Sequence, residues 1–367
     1  MTSDHSADFS TYRVHYHPNT EDLHANELRV IALGTGGPAV RPSQVSACWL
    51  IEIPSKTASH PERFLFDFGT GSMVKYAALQ IPFEETRRAF ISHLHSDHWG
   101  DFWSYWIGGV AQGRSSGISV WGPSGVLSEL GTHNAIRKAI EAMRWDVTSR
   151  EKCVPPGDPA DDPDDGNLGD VISQRWTFEV PGLNVTAHEF IAGREMTIYD
   201  DKTNGIVIKS WPADHALFGA VSFGLEWNGI KVVYSGDTKP LTGDLEEYRK
   251  CFHGANLLIH ECFNATSGHS DSSGDERREL EASDDCVFHT TPEEFGELMA
   301  EYEPDHAVAY HFLNDFDVGL DIYDRIRTRY AGPLTLAKDL LAWNVTPDQV
   351  IARNVAYHPD TWGNDRF

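Results

Sequence analysis

Apolar positions along the chain fall into short runs, each closed by turn residues. Leu28 to Leu33 ends on Gly34-Thr35-Gly36-Gly37-Pro38, and Phe64 to Phe68 ends on Gly69-Thr70-Gly71. Val45 to Ile53 lies between them, and Arg88 to Ile91 leads into Ser92-His93-Leu94-His95-Ser96-Asp97-His98. Runs of this length, rich in β-branched and aromatic side chains and bounded by Gly and Pro, predict strands. The pattern resumes at Thr177–Val180, Leu183–Phe190, Ile206–Ser210, Val221–Trp227, Lys231–Ser235, Leu257–Ile259 and Asp305–Tyr310.

Between these runs the period changes. Trp99, Trp103 and Trp106 recur at i, i+4 and i+7, the spacing of one helical face. That face is expected to be core, with the further reading that some rings line a substrate pocket. Gly122-Pro123-Ser124-Gly125 predicts a turn and a helix reaching about Met143. Thr290-Thr-Pro-Glu-Glu reads as a helix start: Thr291 as N-cap, Pro292 in the first turn and Glu294 completing a capping box, with the helix running to about Tyr302. A further helix is expected near Asp321 to Tyr330. The pattern predicts a strand-rich α/β chain in two halves, with a polar arm over 1–27, one domain over 28–345 and a tail over 346–367.

Composition narrows the class. The chain has 367 residues, 40% of them hydrophobic, enough for a sizeable core. Cys48, Cys153, Cys251, Cys262 and Cys286 are scattered with no Cys-x-x-Cys, which argues against a disulfide framework and against a thiolate metal site. No basic and apolar leader is read in Met1 to His17, and no apolar run approaches the ~18–20 residues of a membrane span, so a cytoplasmic, non-membrane protein is expected. Residues 155–170 form a Pro- and Asp-rich acidic stretch, read as a mobile insertion. Thirty basic against 55 acidic residues leave a formal charge of −25. No Lys/Arg stripe is evident, and neutralisation of phosphates by such stripes supplies most nucleic-acid affinity. The balance therefore argues against a long polyanionic substrate.

The candidate chemistry starts at the turn after Arg88–Ile91, where His93, His95, Asp97 and His98 crowd into six positions. Imidazole and carboxylate are preferred zinc ligands, and His-x-His on an extended turn can face one ion while Asp97 and His98 project toward a second. Two ions need ligands from later loops. His215 precedes the strand at Val221, Asp237 follows Val232-Val233-Tyr234 in Ser235-Gly236-Asp237-Thr238, and His311 ends Ala307–Tyr310. His188, in Thr-Ala-His-Glu, is the rival of His215.

In order and content, Gly34-Thr-Gly-Gly-Pro, Phe66-Asp67-Phe-Gly-Thr-Gly, His93-x-His-x-Asp-His, His215, Ser235-Gly-Asp-Thr, His260-Glu261 and His311 resemble the metallo-β-lactamase superfamily, closest to its ribonuclease Z-like and arylsulfatase-like branch. The resemblance spans about Leu28 to Asp315. It implies an αββα sandwich, two mixed β-sheets flanked by helices, with metals at one edge. It also implies two zinc ions, with manganese or iron compatible with the same ligands: one held by His93, His95 and His215, the other by Asp97, His98 and His311, with Asp237 bridging and Asp67 behind them. His260-Glu261 and His289-Thr290-Thr291 resemble the family's His-Glu-Ala-Thr and His-Ser-Thr loops, which implies that Glu261 orients His289 as proton donor to the leaving group. A homodimer is the assembly such a resemblance suggests.

Two divalent ions ~3.5–4 Å apart lower the pKa of a shared water toward ~7, and Asp97 is placed to take its proton. The catalytic residues are thus read as Asp97, His289 and Glu261. The acidic stretch at 155–170 stands where tRNA-processing members carry a basic arm, and the Trp-rich segment suits an apolar ligand. The expected function is therefore a dinuclear metal hydrolase of a small, partly apolar ester-like molecule such as a phosphodiester or aryl sulfate, with nucleic acid disfavoured as a partner. A ribonuclease Z-type 3′-tRNA endonuclease is the alternative, and a non-catalytic metal-binding scaffold is the alternative of another class.

Overall fold

A computed structural model describes residues 14–39, 41–151, 160–161, 171–263 and 288–357. Eighteen strands run through these residues in two sheets. In chain order the strands of the first half are β1 (His15–Tyr16), β2 (Leu28–Gly34), β3 (Cys48–Ile53), β4 (Glu62–Phe66), β5 (Arg88–Phe90), β6 (Ile118–Pro123), β7 (Ala160–Asp161), β8 (Val171–Trp176) and β9 (Val185–Phe190). The second half adds β10 (Met196–Asp201), β11 (Ile206–Pro212), β12 (Val221–Trp227), β13 (Ile230–Tyr234), β14 (Leu257–Glu261), β15 (His306–Tyr310), β16 (Leu334–Leu336), β17 (Leu341–Val345) and β18 (Val350–Val355). The larger sheet has the order β1-β18-β17-β2-β3-β4-β5-β6-β9-β8-β7, and the smaller β10-β11-β12-β13-β14-β15-β16. Both mix parallel and antiparallel pairs.

Alternation along the strands sorts side chains into layers. On β3, Trp49, Ile51 and Ile53 enter the core between the sheets, while Cys48 and Leu50 face the helices outside. On β15, Val308 and Tyr310 face the inter-sheet core, and Ala307 and Ala309 pack outward. The outer face of the larger sheet is covered by Tyr76, Tyr105, Trp106, Ile136 and Ile140. That of the smaller sheet is covered by Phe295, Leu298 and Met299 of helix Pro292–Tyr302 and by Ile322 and Ile326 of helix Phe316–Arg327. The result is an αββα sandwich. Its centre is aromatic: Trp49 lies 5.6 Å from Tyr310 edge-on and 5.9 Å from Trp343. Each such buried side chain contributes on the order of 1.5–3 kcal/mol.

Several expected elements move. Thr177–Val180 is not a strand; the strand lies before it, at β8, and a single 3-10 turn, Pro181–Leu183, follows. β10 has no counterpart in the expected pattern, because a bulge between Thr197 and Tyr199 breaks its alternation. β18, expected as tail, pairs with β17 and with β1 of the N-terminal arm, so both ends of the chain join the larger sheet. Helix Pro292–Tyr302 starts with the expected capping box on Thr291 and Glu294. The three tryptophans do not share a face. A π-helical turn, Ser104–Gly108, shifts the register, leaving Trp106 fully buried and Trp103 43% exposed. Trp99 stacks on Phe102 against the outer core. The acidic stretch lies outside the described residues except for Ala160–Asp161, which pair with β8. No helix among the described residues is long and apolar enough to cross a membrane.

Candidate metal centre

The parallel pairs decide where the polar groups gather. β4, β5 and β6 run parallel in one sheet, and β13, β14 and β15 run parallel in the other. Their carboxyl ends carry Asp67, Ser92-His93, Asp237, Glu261 and His311, so topology delivers these residues to one edge, as in other open α/β sheets. The two sheets are tied there by a hydrogen bond from Val221 N to Ser92 O of 3.0 Å. Close backbone approach completes the corner. A Cβ on Gly69 would stand 1.9 Å from the Asp97 carbonyl oxygen, so only glycine lets the Asp67–Gly71 turn lie against the histidine turn.

Asp67 organises that turn from beneath. Its carboxylate accepts from Ser92 N and Ser92 Oγ, both at 2.7 Å, from Tyr234 OH at 2.6 Å and from His98 Nδ1 at 2.7 Å. With Nδ1 donating, His98 Nε2 carries a lone pair toward the opposite side. There it lies 3.2 Å from Asp237 Oδ1 and 3.7 Å from Asp97 Oδ2. It is fully buried and has no hydrogen-bond partner.

A second cluster adjoins the first. His95 Nδ1 lies 3.1 Å from both His93 Nε2 and His215 Nε2. His215 Nδ1 donates to the Phe288 carbonyl at 2.9 Å, so its Nε2 also points inward as a lone pair. Burial lowers the pKa of His93 well below the usual histidine value and that of His215 to about 4, so both imidazoles are neutral, the form that ligates metal. Asp237 Oδ2 is 3.8 Å from His93 Nε2, 3.8 Å from His215 Nε2 and 3.2 Å from His311 Nε2, between the two clusters. His311 Nε2 in turn lies 3.2 Å from Asp97 Oδ2.

Two donor sets result: His93, His95, His215 and Asp237, and Asp97, His98, Asp237 and His311, the donor atoms of each within 4.8 Å of one another. Converging lone pairs repel unless a cation sits among them, and burial makes that repulsion expensive. The local field is strongly negative. Burial lowers the pKa of His98, yet the carboxylates of Asp237, Asp67 and Asp97 overturn this and raise it well above the usual value, so that without a cation the site draws a proton to the Nε2 that a cation would otherwise take. Asp237 is opposed by burial too, but His311 and His98 drive its pKa well below the carboxylate range. The residues fit two divalent cations in charge, donor type and tautomer.

Beside the clusters lies an acid–base pair. Glu261 Oε1 accepts from His289 Nδ1 at 2.9 Å and from Thr238 N at 2.9 Å. Burial lowers the pKa of His289, but Glu261 reverses this and raises it to about 9. Phe263 stacks on the His289 ring at 4.7 Å, and the His311 ring lies 5.0 Å from it on another side. His289 is therefore a protonated imidazolium held at the edge of the second donor set.

The structure thus brings together His93, His95, Asp97, His98, His215, Asp237, His311, Glu261 and His289. It leaves out His188, which stacks on Trp121 at 4.2 Å and bonds Ser173 Oγ at 2.8 Å. The sequence reading missed the supports. Tyr234 reads as one more apolar strand residue, and Gln44 and Asp339 carry no motif. Yet Asp339 accepts from Thr35 N and Val45 N, Gln44 Nε2 donates to Phe312 O, and Thr35 O accepts from His311 N. These bonds hold His311 at φ 74°, a strained backbone for a histidine.

No family model matches the chain. Curated relatives do. A ribonuclease Z of Mycolicibacterium paratuberculosis is 24% identical over 327 residues, covering 85% of this chain and 96% of that protein. A ribonuclease Z of Methanothermobacter thermautotrophicus is 28% identical over 236 residues, covering 57% and 70%. Among solved structures, the metallo-β-lactamase fold protein YhfI from Bacillus subtilis aligns with a TM-score of 0.57 at 15% identity, over 86% of this chain and 99% of that one. Along most of its length the chain is similar to ribonucleases Z, and its fold is the metallo-β-lactamase fold. It is a metal-dependent hydrolase of the αββα fold.

These relatives correct one expectation. A small-molecule substrate, with nucleic acid disfavoured, is overturned by relatives named as ribonucleases along most of the chain. The error lies in reading −25 as a surface property. A net charge averages over the whole molecule and says nothing of the one edge where the donor sets gather.

Proposed function

We propose that this protein is a ribonuclease Z-type endonuclease that hydrolyses a phosphodiester bond of RNA, with the 3′ side of precursor tRNA as the substrate class. The observation that carries the reading is the shared Asp237: two donor sets meet on one carboxylate, with the Glu261–His289 pair directly beside them. That arrangement suits in-line displacement at phosphorus, where both the attacking and the leaving oxygen need stabilisation. In this reading His93, His95 and His215 would hold one ion and Asp97, His98 and His311 the other, with Asp237 common to both donor sets. Zinc is the proposed metal, on the imidazole-rich donor set, with manganese and iron as competitors. The ions would supply Lewis acidity, activating a water and offsetting charge on the phosphoryl oxygens.

The remaining steps belong to the chain. Asp97 orients the attacking water and accepts its proton, its own pKa lowered against burial by His98 and His311. His289, already protonated, donates to the departing ribose oxygen, and Glu261 keeps its ring aimed and its charge balanced. Asp67 fixes the histidine turn. Incubation of the zinc-loaded protein with a 3′-extended precursor tRNA tests the reading. Chelator-sensitive removal of the extension, restored by zinc, is expected. Intact RNA at stoichiometric enzyme overturns it.

A further inference from the structure

A cavity of about 290 Å³ opens beside the first donor set, with His93, His95 and His215 forming one wall. Its size sits near the low end of ligand pockets, which run roughly 300–1,000 Å³. It suits one ring system. The opposite wall is apolar, and its mouth is formed by side chains that a folded chain has no structural reason to expose: Leu217 is 67% exposed, Phe218 56% and Leu130 45%. The position is built. Gly193 and Gly219 back this wall, with the Phe218 ring 3.3 Å from where a Gly193 Cβ would stand and the Ser124 carbonyl 3.0 Å from that of Gly219. The charged groups decide the occupant. No Lys or Arg lines the cavity, and Glu129 stands at it with its carboxylate in solvent. Away from the histidine wall the lining offers a phosphate no positive charge, whereas a flat neutral ring with N–H donors on its edge can meet Glu129.

Resting on the RNA reading above, we propose that this cavity receives the unpaired nucleobase adjoining the scissile phosphodiester. The base stacks on Phe218, and Glu129 accepts from an exocyclic amino group, favouring cytosine or adenine over uracil at that position. Stacking on an aromatic ring tolerates any base, while a carboxylate acceptor supplies the discrimination. The scissile phosphate is thereby fixed over the shared Asp237 by a contact that carries no positive charge, which suits a chain this acidic.

The test uses the zinc-loaded full chain and short single-stranded RNAs with 2-aminopurine at successive positions. A methylphosphonate at the scissile link keeps the RNA whole. Quenching is expected at one position flanking that link, and Phe218→Ala or Leu130→Ala should remove it. With cleavable RNA, an abasic nucleotide at that position should lower kcat/KM roughly ten- to one-hundred-fold in the parent protein. In Phe218→Ala it should have little effect, and Glu129→Gln should erase the preference for cytosine over uracil. RNA cleaved with indifference to the flanking base, or with a base dependence that survives Phe218→Ala, overturns the subsite and leaves the ribonuclease reading standing. Quenching without cleavage of the parent RNA leaves the subsite and removes that reading, and neither signal removes both.

Discussion

Two buried charged clusters among the described residues differ in how their charges are met. On the larger sheet, Glu52 bonds Arg29 Nη1 at 2.9 Å and Arg63 Nε at 2.8 Å, while Arg63 also reaches Glu85. The Arg29 guanidinium lies 3.8 Å over the Tyr16 ring, with Glu21 3.7 Å away. Each charge there has an opposite charge in contact. At the strand ends, two carboxylates and five imidazoles converge in two donor sets, and His98 Nε2 has no hydrogen-bond partner. Glu52, Arg29 and Arg63 are as deeply buried as Asp97, His98 and Asp237. What separates a structural cluster from a functional one is therefore the sign of its unmet demand. A network of paired opposite charges is held by its own ion pairs, and a donor-only network is completed by a cation from outside.

Substitutions break the comparison at different strengths. Asp237→Ala should have the largest effect, because both donor sets lose their common member. A fall in activity of about a thousandfold or more, with metal content reduced, is expected from steady-state kinetics paired with elemental analysis. Retention of both metal and rate would return the carboxylate to a structural role. His289→Ala should cost roughly 10²–10⁴ in rate on RNA and much less on bis(p-nitrophenyl) phosphate, whose leaving group needs little help from an acid. Equal losses on the two substrates would deny it the proton.

Asp67→Asn should act more mildly, lowering metal affinity or activity about 10–100-fold, since it supports ligands without touching the ion. Isothermal titration with zinc measures this. Glu52→Gln should leave activity per folded molecule almost unchanged and lower stability by about 3–5 kcal/mol, the scale for breaking a buried pair. Arginine partners hold the pKa of Glu52 below its usual value against the burial that raises it. A lowered folded-state pKa gives stability that is present above the unfolded value of about 4.3 and is lost as pH falls through the folded pKa. The gap between wild type and Glu52→Gln in urea melts should thus be constant from pH 7 to about 5 and close in stronger acid. A gap that widens in acid would contradict the assigned charges.

Much of this was legible in the residues, for a physical reason. Strands such as Val221–Trp227 are buried apolar runs bounded by turns, and ligands sit at their ends because the chain leaves a parallel strand there. The histidine turn, Asp237 and His311 are all of this kind. Illegible features arise where pairing or register overrides pattern. Val350–Val355, Val-Ile-Ala-Arg-Asn-Val, has no period-2 alternation and reads as a tail until β1 and β17 pair with it. Trp99, Trp103 and Trp106 look like one helical face until a π-turn separates them. Charge misled for a related reason. A count of acids records neither that Glu52 is spent on arginines nor that Asp97 and Asp237 converge with imidazoles in two donor sets.

Metal reconstitution followed by RNA cleavage tests the two-ion centre most directly. Chelated protein should cut a 3′-extended precursor tRNA negligibly, and activity should return with zinc and plateau near about two ions per chain. Cleavage by the metal-free chain at the loaded rate, or a plateau with no ion bound, would contradict it.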